Sequence, residues 1–327
     1  FVNWAKQNYP ANYYSLILDD HGNGLGGAMS DSTSDDILSL NEISNALENV
    51  TSGWQKIDVL VMNACLMGML EDAYQFRNFT NYYVASENIQ WAYNRGYYDT
   101  AINVTSTTTP LEMGNLYVQK YADEAIPMTV GYTMSVADMS QIDNLVQTIN
   151  VMAGLISADM DGNTDELNTV LSQVQRFDNN FPTGIINDQD QYIDLFDFAR
   201  LIQDQFQDPA IRQSAQAVMD AVIAYAPPSY GRHATGQGVD NSHGVSIFFP
   251  TNRSSFYNVD NYSFAVGAIW IPGQQSHKAQ ISEDPPTVLW GPFLVEYINI
   301  TNPDGEDNST PPPLIPKPII QTIHLPI

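Results

Sequence analysis

Continuous apolar runs alternate with stretches of helical spacing along the first half of the chain. Residues 13–18 (YYSLIL) form an apolar run that ends in Asp19-Asp20-His21-Gly22, the pattern of a buried strand followed by a tight loop. Polar residues and glycines over 22–36 predict a flexible loop. Residues 40–47 (LNEISNAL) have helical spacing, with Asn41 placed to cap the helix. Residues 57–62 (IDVLVM) predict a second buried strand, ending in Asn63-Ala64-Cys65, and residues 67–76 a helix behind it. Residues 82–86 (YYVAS) predict a third strand. Strands separated by helices at this spacing imply an α/β fold with a mostly parallel sheet, because parallel neighbours need long and usually helical connections.

Further on, helices are expected over 111–125, 140–156, 192–205 and 210–225, with strands over 132–136 (YTMSV) and 245–249 (VSIFF). From about residue 263 short apolar runs are broken by Gly and Pro. The expected organisation is one domain over 1–262, a small β-rich appendage over 263–301, and a Pro-rich extended tail over 302–327.

The 327 residues carry 12 basic and 37 acidic side chains, a net charge of −25. A polyanion gains nothing by neutralising phosphate, so nucleic acid is not an expected partner, and an anionic membrane surface is excluded on the same ground. No transmembrane stretch or signal peptide is visible, so no membrane insertion is expected of this segment. The chain opens on Phe1 rather than Met, within sequence that reads as mid-domain, so it is taken as a processed or partial chain. Seven Asn-X-Ser/Thr sequons, at Asn49, Asn78, Asn103, Asn252, Asn261, Asn299 and Asn308, point to an extracellular or cell-surface glycoprotein.

There is one cysteine, so no disulfide can form within the chain. Cys65 and His21 each follow the carboxyl end of an expected buried strand. If those strands are neighbours, the two side chains meet across one crevice, as a nucleophile and its base must. An imidazole beside the thiol raises the thiolate fraction, the thiolate attacks a peptide carbonyl, and His21 protonates the leaving amine. Gly22 lets the backbone approach closely, so the amides of Gly22 and Cys65 are the candidate oxyanion hole. A core thiol with a loop histidine would account for the same spacing equally well. His243 competes as base, but it precedes its expected strand.

Six ordered blocks settle that choice by resemblance. Leu18-Asp19-Asp20-His21-Gly22 and Asn63-Ala64-Cys65-Leu66-Met67-Gly68 resemble the His-Gly and Ala-Cys segments of clostripain-like cysteine peptidases. Residues 84–99, 132–138, 192–198 and 244–250 resemble later blocks of the same family, so the likeness covers roughly residues 1–250. The resemblance implies a caspase-like three-layer sandwich and a secreted endopeptidase that acts on peptides or proteins through a Cys65/His21 dyad. No cofactor is required for that chemistry. No third catalytic residue is implied, so Asp19 and Asp20 are read as loop anchors.

Three departures from the family qualify the expectation. The family's arginine preference rests on an Asp two residues before the nucleophile, and here that residue is Asn63. With Ser86 and Glu87 as further pocket residues, the P1 preference is expected to shift away from Arg unless Glu87 supplies the charge. No Lys or Arg lies between Lys6 and Lys56, so maturation by basic cleavage is not expected there. The resemblance also implies a strand and helix upstream of Phe1, so self-association through a missing or donated strand is an expectation. Asp159, Asp161, Asn163 and Asp165 alternate around a glycine in a pattern that suits Ca²⁺, although it lacks EF-hand spacing. The rival class is an extracellular structural subunit, of a filament or surface layer, built on a peptidase fold. The intact Cys65 and His21 favour the enzyme.

Overall fold

A computed structural model describes residues 1–34, 36–52, 55–91, 95–179, 186–250 and 290–301. The chain opens with helix α1 (Val2–Asn8) and strand β1 (Ser15–Asp19). Next comes a hairpin of β2 (Ala28–Asp31) and β3 (Asp36–Leu38), where the sequence had suggested only a loop. Helix α2 (Leu40–Thr51) follows. Its cap is Ser39 rather than Asn41: the Ser39 hydroxyl accepts from the Glu42 amide while the Glu42 carboxylate accepts from the Ser39 amide.

Strand β4 (Ile57–Asn63) is buried along its whole length, as an apolar run with neighbours on both sides should be. Helix α3 (Leu70–Phe76), β5 (Thr80–Ala85), α4 (Arg95–Asn103) and α5 (Pro110–Ala125) lead to β6 (Thr133–Asp138). Helices α6 (Ile142–Ser157) and α7 (Met160–Leu171) precede the short strands β7 (Arg176–Phe177) and β8 (Tyr192–Asp194). Then come α8 (Leu195–Gln205), α9 (Pro209–Tyr225), β9 (Gly231–His233), β10 (Ser246–Phe248) and α10 (Trp290–Thr301).

The central sheet runs β1-β4-β5-β6-β9. Only β1–β4 and β4–β5 are parallel, whereas β5–β6 and β6–β9 are antiparallel. The two smaller sheets, β10-β8-β7 and β2-β3, are antiparallel throughout. The expectation of a mostly parallel sheet is therefore corrected. The long connection through α4 and α5 can return the chain in either direction, and an apolar pentapeptide does not encode which.

Helix α5 lies along β4, β5, β6 and β9, while α9 packs on β6 and α6. Gly114 lets α5 approach closely, since a Cβ there would meet Val136 at 3.1 Å. The β-rich appendage is corrected over its described part: residues 290–301 are helix α10, with Trp290 and Phe293 buried against Phe249. Residues 263–289 and the tail 302–327 lie outside the described residues.

Candidate active site

Strand register brings the two candidate catalytic residues together. In the parallel pair β1–β4, Asp19 stands opposite Asn63. His21 and Cys65 each lie two residues further on, at the same end of neighbouring strands. The approach of the two loops is closer than a side chain would allow. A Cβ on Gly22 would lie 2.5 Å from the Cys65 carbonyl oxygen and 2.8 Å from the Ala64 Cβ. His21 itself is exposed, and its amide donates to Asp20 Oδ1 at 2.5 Å. The His21 carbonyl accepts from Met29, so the β2–β3 hairpin fixes the loop that carries the base.

The turn after the nucleophile is strained and tied down. Leu66 has φ +64°, a left-handed conformation that costs a side-chain-bearing residue about 1 kcal/mol or more. Its amide donates to the Asn88 carbonyl at 3.1 Å, and the Gly68 amide to the Ser86 carbonyl at 2.7 Å. Gly68 is required here, because a Cβ would lie 2.7 Å from the Glu87 nitrogen. The Tyr83 hydroxyl donates to the Met67 carbonyl at 2.7 Å.

Cys65 is half-buried and its thiol donates to the Gln90 carbonyl at 3.4 Å, while the Gln90 amide donates back to the sulfur at 3.4 Å. Burial pushes the thiol pKa up, and the Asp178 carboxylate adds to this; the Gln90 and Cys65 amides oppose it. The resting side chain is therefore a thiol. Among the described residues no hydrogen bond joins it to the His21 ring.

Asn63 is buried and its amide oxygen is doubly engaged. Its Nδ2 donates to Asp19, and its Oδ1 accepts from Gln90 Nε2 and the Tyr117 hydroxyl. Of the two residues expected in the substrate pocket, Ser86 is corrected, being fully enclosed, while Glu87, itself buried, lines a cavity together with Ser135, His233 and His243. The Ser86 hydroxyl donates to the Asn88 carbonyl and meets Thr133, while Glu87 turns toward Gly244. Asp178, which sequence reasoning passed over, is 1% exposed. Among the described residues no hydrogen bond reaches either of its carboxylate oxygens. Burial and then Asp190 raise its pKa to about 6. Its amide donates to Asn88 Oδ1, which places it across Asn88 from the nucleophile turn.

His243, the rival candidate, is engaged elsewhere. Its ring lies 3.1 Å from Asp194 Oδ1 and stacks on Phe196 with centroids 4.1 Å apart. The alternating Asp159, Asp161, Asn163 and Asp165 do not fit a calcium ion. Asp159 caps α7, accepting from the Gly162 amide, and the next three residues lie in that helix, where side chains two apart point in different directions. Among the described residues no cluster of three acidic, His or Cys side chains could hold a metal. Asn49, Asn78, Asn103 and Asn299 are exposed, while Asn252, Asn261 and Asn308 lie outside the described residues.

A strained turn presenting one cysteine at the carboxyl end of a buried strand, with a His-Gly loop on the neighbouring strand, is the layout of a cysteine-nucleophile site in an α/β fold. The Clostripain family model matches residues 1–270, and the chain belongs to that family. Clostripain of Hathewaya histolytica is 38% identical over 92 residues, which span 24% of this chain and 17% of that protein. Two X-ray structures from Bacteroides thetaiotaomicron share the fold at a TM-score of 0.53 each. One is a secreted C11 cysteine protease in complex with an irreversible peptide inhibitor, 18% identical, aligned over 78% of this chain and 71% of that one. The other is the secreted C11 cysteine protease iotapain, 15% identical, over 76% and 69%.

Proposed function

We propose that this protein is a secreted cysteine endopeptidase. Cys65 is the nucleophile and His21 the general base. The observation that carries the reading is the β1–β4 register, which sets both residues two positions beyond an aligned pair, with Gly22 against the Cys65 carbonyl. His21 takes the thiol proton, and the sulfur attacks the peptide carbonyl. In this reading the Gly22 and Cys65 amides donate to the oxyanion, and His21 returns the proton to the leaving amine. Water then hydrolyses the thioester, with His21 again as base. In this reading the thiol, the imidazole, two backbone amides and a water carry the reaction, with no cofactor among them.

Extracellular action is supported by the family and by the acidic, sequon-rich sequence. Among the described residues no helix is long and apolar enough to cross a membrane.

The P1 preference is weaker for Arg than an aspartate at position 63 would give. Asn63 is neutral and its amide oxygen is doubly engaged within the protein, so it has no free acceptor to offer a guanidinium. Matched peptides that differ only at P1 test both points. Turnover should occur, should vanish in Cys65→Ala, and should favour Arg over neutral residues by less than about 100-fold, the ratio that a buried ion pair would exceed. A stronger Arg preference would overturn the specificity, and absence of turnover on every peptide the activity.

A further inference from the structure

Of the buried carboxylates outside the dyad, two converge on one segment of the chain. Glu87 (2% exposed) follows β5, and Asp194 (0% exposed) ends β8 and caps α8. Both hold the segment that enters β10. Asp194 accepts from the His243 amide at 2.6 Å, from the His243 ring at 3.1 Å and from the Asp197 amide at 2.6 Å. Glu87 Oε2 accepts from the Gly244 amide at 3.0 Å, while no hydrogen bond from a donor reaches Oε1.

The segment so held runs directly to the nucleophile turn. The Ser246 amide donates to the Gly68 carbonyl at 2.9 Å, and the Gly68 amide donates to Ser86, the residue before Glu87. Glu87, Gly244, Ser246, Gly68 and Ser86 thus close a ring of hydrogen bonds around the turn that carries Cys65.

We propose that Glu87 and Asp194 share one proton and form a clamp that positions the Cys65 turn, released when that proton is lost. Held on the successive amides of His243 and Gly244, the two buried carboxylates are both acceptors, so they attract each other only with a proton between them. Burial and the neighbouring Asp194 raise the Glu87 pKa well above the usual carboxylate range. The charged groups around the pair do not remove the need for a proton. His243 already serves Asp194, and hydrogen bonding to Asp194 raises its pKa against the effect of burial. Arg200 pairs with Asp197 and Asp204. The pKa of His233 is lowered by burial and then by His243, with Asp240 and Asp194 opposing. Arg232 lies at the rim of a cavity of about 300 Å³ that Glu87, His233 and His243 also line. That cavity lets the proton escape to solvent without unfolding.

The proposal rests on the peptidase reading only for its consequence. Its test therefore has a readout in kcat/KM and another in a Cys65→Ala background, where catalysis plays no part. Gln at position 87 keeps an oxygen for Gly244 and offers Asp194 a permanent N–H. With the clamp, kcat/KM of the wild type falls on the alkaline side, and in Glu87→Gln that limb moves up by about one pH unit or more, whatever the plateau. In the Cys65→Ala background the melting temperature falls as pH rises through the pair's titration, because the folded state binds the extra proton. That slope should flatten in Glu87→Gln or, should this variant not fold, in Asp194→Asn. Superimposable slopes with and without the substitution would overturn the clamp even if the protein is a peptidase. A flattened slope with unchanged alkaline limbs would overturn its link to Cys65.

Discussion

At Gly22 the space for a side chain is already taken. A methyl there would lie 2.5 Å from the Cys65 carbonyl oxygen, closer than real Cβ atoms approach, and the opposing atoms are backbone that cannot swing away. The His21 loop and the Cys65 turn would have to separate, and the base would move with them. Misplacement by about an ångström costs on the order of 100-fold in rate. Gly22→Ala should therefore lower kcat/KM by about 100-fold while leaving a folded protein with a cooperative melt. Activity within about twofold of wild type would show that the contact does not position the base. The glycine is visible in the sequence as the residue after His21, but its reason is visible only once Cys65 is seen beneath it.

The pairing of β1 with β4 is the element on which the site depends, and one side chain stitches it at the catalytic end. Asn63 donates to Asp19 across the strands and accepts from Gln90 and Tyr117. Asn63→Asp would set two carboxylates against each other and remove the donor. That change should destabilise the protein by about 1–3 kcal/mol near neutral pH, read as a lower denaturation midpoint in urea. An unchanged midpoint would mean that Asp19 turns freely to solvent.

At this scale the sequence was readable wherever a strand was apolar, although β1, at the end of the sheet order, is half-buried with exposed ends rather than buried as its run suggests. β1, β4 and β5 were legible as runs of YYSLIL, IDVLVM and YYVAS, and with them the positions of His21 and Cys65. Strand direction was not. β6 runs antiparallel because of how α4 and α5 return the chain, and the residues of β6 look the same either way. The β2–β3 hairpin was hidden by polar residues, and β8 by the helix pattern into which Tyr192–Asp194 runs. Ser86 meets Thr133 of β6 and Glu87 meets Gly244 ahead of β10, partners far away in sequence, so composition carried no sign of either burial.

Over the whole molecule, the net charge of −25 and the buried acids fit a protein that handles protons as much as cations. Glu71, with a pKa raised by burial to about 7, and Asp178, at about 6, join Glu87 in favouring mildly acidic conditions. In each case the folded state binds a proton that the unfolded chain has already released, so stability declines as pH climbs from about 4 toward 7.

The family match covers residues 1–270, and the described core places one thiol at one turn, facing one His-Gly loop. The account stands or falls on that thiol acting as a nucleophile under the control of His21. A peptidyl ketone probe that alkylates attacking thiolates, followed by peptide mass mapping, measures this most directly. The result expected is one label per chain on Cys65, abolished in Cys65→Ala and slowed at least about 100-fold in His21→Ala. A folded protein whose Cys65 stays unlabelled, or is labelled equally fast without His21, would contradict it.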